Sequence, residues 1–120
     1  MWKPTIAAAL AALILSPAHA ANWISEDGFV VHQTGPASFE VPWRGRSAVR
    51  DFWCAAGSYV RYELNLPGTT RVYRTSAVPR RSGQAMRFSL SPANAQPTGL
   101  AVIGSPKGLR AAHAVTFCDR

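Results

Sequence analysis

Two cysteines, Cys54 and Cys118, constrain this 120-residue chain more than any other feature. Joined, they would close a loop of 65 residues and tie down the C-terminus, since only Asp119 and Arg120 follow. Whether they join depends on the compartment, because disulfides persist outside the reducing cytosol. The N-terminus supplies the address. Lys3 provides a positive start, Thr5 to Leu15 is an apolar run of 11 residues, and Ser16-Pro17 breaks it. Ala18-His19-Ala20 then places small side chains where a signal peptidase needs them, so residues 1–20 read as a secretory signal peptide cleaved before Ala21. Eleven helical residues rise about 17 Å against a membrane core of about 30 Å, which disfavours a retained anchor. No cysteine follows the cleavage point to take a lipid.

The expected mature domain, residues 21–120, is exported, periplasmic or secreted. A chain of this size buries about 65% of its unfolded surface, enough for one core of modest stability. A disulfide closing so long a loop adds about 4 kcal/mol in the chain-entropy picture. That is a large share of a typical 5–15 kcal/mol. The competing reading is a reactive thiol. On a helix Arg50 and Arg61 project within about 40° of Cys54 and would favour thiolate, and His113 would serve as its base. The chain lacks a CxxC partner, and the disulfide is the simpler expectation.

Hydrophobic periodicity then sets the elements. Gly28–Gln33 and Ser38–Trp43 read as a hairpin, with Phe39, Val41 and Trp43 on one face and Pro42 demoting the second strand to an edge or ending it. Ser47 to Leu64 reads as one amphipathic helix capped by Ser47, its stripe formed by Val49, Phe52, Trp53, Ala56, Tyr59, Val60 and Leu64. Its polar side would hold Arg50, Asp51, Ser58 and Arg61. Gly57 is a helix defect and suggests close approach of a strand. Thr70–Ala77 and Gln84–Ser91 read as further strands, the second with Met86, Phe88 and Leu90 inward. Leu100–Ile103 reads as a short strand and Ala111–Cys118 as the last. That last strand has two plausible inner faces: a small one with Ala112, Ala114 and Cys118, and a large one with Val115 and Phe117. The expected fold is therefore α+β: an antiparallel sheet of about five short strands, one amphipathic helix packed on one face, and one disulfide.

Charge is the visible functional hint. The net charge is +7, and in the mature part arginine outnumbers lysine 11 to 1. Arginine forms planar, bidentate contacts with phosphate and carboxylate. Arg44, Arg46 and Arg50 cluster around the helix start, and Arg71, Arg74, Arg80, Arg81 and Arg87 lie on the Thr70–Ser91 hairpin. With Trp43, and with Tyr73 and Trp53 nearby, they suggest a face for an anionic partner: an envelope polymer, a lipid head group or an acidic protein. Nucleic acid is disfavoured, because export removes the chain from that pool and no nucleic-acid motif occurs. Glu63, at the margin of the helix stripe, is expected to pair with Arg71 or Arg87.

Catalytic and metal motifs are lacking. There is no GxSxG elbow, P-loop or GxGxxG. His32 and His113 would need two further ligands to hold zinc, with the cysteines committed to each other. No cofactor and no catalytic residue is assigned. The leading expectation is an exported, disulfide-stabilised binding or envelope-interaction module. Its rivals are a small secreted hydrolase or thiol enzyme using His32 or His113, and a structural or inhibitory protein without a specific ligand.

Overall fold

Strand alternation and one long apolar stripe leave this chain little choice but a sheet with helix laid across one face. The computed structural model describes residues 22–45, 48–103 and 107–118. The expected signal peptide, Arg46 and the expected cap Ser47 lie outside the described residues.

Six strands form the sheet: β1 (Asn22–Ile24), β2 (Val30–Gly35), β3 (Ser38–Val41), β4 (Arg71–Arg74), β5 (Met86–Ser89) and β6 (Leu109–Arg110). Their order is β1-β2-β3-β5-β4-β6, with every pairing antiparallel. The expected alternation holds in β3 and β5, where Phe39, Val41, Met86 and Phe88 are buried. Pro42 falls just after Val41, so β3 ends before the missing N–H would break a ladder and sits inside the sheet, not at an edge. β1 and β6, at the two edges, are too short to show a period in sequence.

Helix α1 (Val49–Ser58) runs on into a widened turn at Tyr59–Glu63, where the Leu64 N–H reaches back five residues to the Tyr59 carbonyl at 3.0 Å. Asn65, at φ 56°, then ends the helix in the left-handed conformation that Asn tolerates. At the other end the Asp51 carboxylate accepts from the Ala48 N–H at 2.8 Å, an acid at the positive end of the helix dipole.

The C-terminal segment corrects the expectation of a last strand. Residues Ala111–Val115 form a second helix, α2, followed by a tight turn at Thr116–Cys118. Alanine is the best helix former, and Ala111 and Ala114, three apart, give α2 one small buried face. Its first N–H groups are capped by loop carbonyls: Ala111 N donates to Thr70 O at 2.8 Å and Ala112 N to Gly68 O at 3.0 Å. The conflict between a small and a large strand face disappears, because helical spacing separates those residues. Leu100–Ile103 is not a strand either, and Ile103 is fully exposed. Among the described residues there are therefore two helices where one was expected, α1 on the sheet and α2 on α1.

The α1 stripe lies on an aromatic layer. Phe39 stacks between Tyr59 and Phe88, at 4.7 and 5.6 Å between ring centroids, and Trp53 meets Phe88 edge-on at 5.0 Å. Burial pushes the Tyr59 phenol above its ordinary pKa, with Glu63 on the next turn adding to the effect. The opposite side of α1 is covered by α2, so Phe52 to Val60 are buried without interruption. Ser58, expected on a polar side, is buried with its Oγ 3.5 Å from Cys118 Sγ.

Gly57 makes that second contact feasible. A Cβ added there would stand 2.7 Å from the Ala114 Cβ and 3.0 Å from the Ala111 carbonyl oxygen. The close neighbour is thus a helix and not a strand. Cys54, one turn earlier, is bonded to Cys118 with the Cα atoms 4.9 Å apart. Gly57→Ala should lower stability by about 1–2 kcal/mol in urea unfolding, because overpacking outweighs a propensity gain of about 1 kcal/mol. Unchanged or raised stability would mean that α2 is not seated on α1.

Candidate functional site

Alternation along β4 decides what the hairpin arginines can do. Val72 and Arg74 share the inner face, and Arg71 and Tyr73 share the outer one, because neighbouring strand residues point to opposite sides. Arg74 pairs with Phe88 in the ladder and is only 1% exposed. Its guanidinium is anchored entirely on carbonyls: Nε donates to Ser76 O at 3.1 Å, Nη1 to Thr98 O at 3.2 Å and Nη2 to Ala77 O at 2.9 Å. The Trp53 indole donates to the same Thr98 carbonyl at 3.0 Å. Arg74 therefore leaves the expected surface set. It straps the loop after β4 and the 96–99 segment to the core.

The remaining arginines fall into three places in the fold. Arg44 and Arg50 are exposed near the start of α1, with Trp43, which is 42% exposed. Arg44 lies over the Phe29 ring at 5.4 Å and donates to the Asp27 carbonyl at 3.2 Å, tying down the β1–β2 turn. Arg71 and Arg87 are on the outer sheet face. Arg87 meets Glu40 across β3 and β5 at 3.5 Å, so its acid partner is Glu40 and not Glu63. Arg71 stands directly opposite Arg110 in the β4–β6 pair. Arg110 was missing from the sequence-derived set, because a two-residue strand has no readable period.

The third place is the segment after β4. Arg81 is exposed there, while Arg80 is half-buried with its guanidinium 4.8 Å over the Phe52 ring. Arg80 Nη1 donates to the carbonyls of Arg81 at 2.9 Å and Gln84 at 2.8 Å. The hairpin arginines thus split between an inner strut, an outer face and a loop. Trp53 is wholly buried and takes no part in a surface.

The histidines occupy separate elements. His32, on β2, pairs its Nδ1 with the Asn22 side-chain oxygen on β1. His113, on the exposed side of α2 and not on a strand, stacks on Phe117 at 5.6 Å. Cys54 and Cys118 are bonded to each other, so neither holds a thiol. Asp27 Oδ2 lies 3.5 Å from Cys54 Sγ beside a cavity of about 360 Å³. These three residues are the only group among the described residues with metal-ligand proximity, and both sulfurs are already spent on each other. No helix among the described residues is long and apolar enough to cross a membrane.

No known protein family, curated protein or solved structure matches the chain.

Arg74→Lys should reduce stability by about 2 kcal/mol, since an ammonium cannot reproduce the planar fork and leaves buried carbonyls unpaired. The Trp53 indole N–H resonance should move with it. A variant of wild-type stability with an unmoved indole signal would remove the strut.

Proposed function

We propose that the chain is a small exported binding module that meets an anionic partner at the cell envelope through the outer face of its sheet. The observation that supports this most is the facing pair Arg71 and Arg110. Like charges directly opposite on neighbouring strands are unfavourable. Neither arginine has a carboxylate in ion-pair range among the described residues. Arg87 extends the cationic face across β5, and Tyr73 contributes a half-buried ring beside it. An anionic chain laid along this face would relieve the repulsion and gain bidentate contacts.

A second reading has its own support. β6 is a sheet edge, and charged residues at an edge keep other strands from pairing with it. On that reading the charges guard the fold and need no partner. The two readings differ in salt-dependent binding. The mature protein should be retained on heparin and on vesicles rich in anionic lipid at low salt. The double variant Arg71→Glu/Arg110→Glu should elute earlier, with the log–log salt slope reduced by about two, one per lost contact. Passage through both matrices at low salt, or a slope unchanged by the double variant, would favour the edge-guarding role.

A further inference from the structure

The inner strut Arg74 borders a cleft of about 580 Å³ on the side of the start of α1. Val49, Val78 and Pro79 form its apolar side, and Arg74 and Arg80 its polar side. Such a volume lies within the usual range for small-molecule sites.

The charges in this cleft do not balance. Arg74 is almost wholly buried, and its three hydrogen bonds go to neutral carbonyls. A guanidinium has five N–H donors, so two remain. Arg80 Nε is buried with no hydrogen-bond partner among the described residues. Neither arginine has a carboxylate in ion-pair range among those residues. Asp51, in the first turn of α1, spends one carboxylate oxygen on the Ala48 N–H. Burial lowers the pKa of Arg74, and the nearby positive charge of Arg80 adds to that. Two buried or half-buried cations facing one space, with no anion between them, are costly unless a counter-charge is supplied.

The fit is close on the remaining wall. A Cβ at Gly99, where φ is +83°, would stand 2.5 Å from Arg74 Nη1. Glycine both adopts this backbone conformation and leaves the guanidinium room. The ring of Phe52 backs Arg80 and holds its plane in place.

We propose that this cleft binds a small organic oxyanion, its phosphate or carboxylate head bridging Arg74 and Arg80 and its apolar body lying against Val49, Val78 and Pro79. The site is separate from the sheet face and does not rest on that reading. Planar guanidinium groups suit either head, because both offer two oxygens to a fork.

Phenyl phosphate, benzoate and inorganic phosphate are the probes, titrated into the ¹⁵N-labelled mature protein at fixed ionic strength and followed by NMR. Saturable one-to-one binding of phenyl phosphate or benzoate is expected, with the largest shifts at the Arg80 Nε–H and the amides of Val49 and Gly99. Whichever of the two binds more tightly identifies the head, and inorganic phosphate alone should bind more weakly. Arg80→Gln should weaken the interaction at least tenfold in a chain whose amide spectrum keeps the dispersion of the folded protein. Arg80→Lys, which keeps the charge and loses the fork, should fall between. Arg71→Glu/Arg110→Glu should bind the organic anion as the wild type does, even if it loses polyanion retention. Absence of saturable shifts with both organic anions, or equal affinity in Arg80→Gln, would overturn the site.

Discussion

The bond between Cys54 and Cys118 is the constraint on which the rest of this structure depends. It ties the middle of α1 to the end of the chain, with the Cα atoms 4.9 Å apart. α2 is only five residues long, far below the length at which a helix holds itself in water. It persists because it is stapled at one end, capped by the 68–70 loop at the other, and laid against a glycine that lets it come close. That seating covers the side of α1 that the sheet does not reach. A small core thereby gains a helix buried on two sides, which one layer of sheet could not provide.

α1 covers one face of the sheet and α2 covers α1, which leaves the other sheet face to solvent, and the arginines divide accordingly. On β4 the inward positions are Val72 and Arg74, and the outward ones are Arg71 and Tyr73. One cation became structural and its neighbour three residues away stayed on the surface. The inner arginine gives three of its five N–H donors to carbonyls and has no carboxylate in ion-pair range among the described residues. In the outer pair Arg71 donates to the Gly108 carbonyl at 3.2 Å, and neither Arg71 nor Arg110 has a carboxylate in ion-pair range among the described residues. The two proposed anions answer these two imbalances, one small and seated in the cleft, one extended along the exposed face. The chain carries 13 Lys and Arg against 6 Asp and Glu, and among the described residues these two places hold arginines with no carboxylate in ion-pair range.

Much of this was legible in the residues, and the failures have physical reasons. Cys54 and Cys118 could be paired because two cysteines allow one intramolecular bond, the chain has no CxxC, and an exported chain was expected. β3 and β5 were readable because Phe39, Val41, Met86 and Phe88 alternate cleanly, and α1 because its apolar stripe recurs from Val49 to Leu64 through its widened last turn. The C-terminal helix was misread because a short run of alanine with Val and Phe satisfies a period of two as well as one near four. The burial of Arg74 had a signal: it lies two positions from Val72, on the same strand face. An arginine is so seldom wholly buried that its charge masks this parity signal. Arg110 and β1 were missed because strands of two or three residues carry no period.

Equilibrium urea unfolding of the mature protein, oxidised and with the disulfide reduced, tests the central claim most directly. If the bond seats α2 and completes the core, reduction should lower the midpoint and remove about 4 kcal/mol of stability. Coincident curves for the two forms would contradict the account, because the helix pair would then stand without its staple.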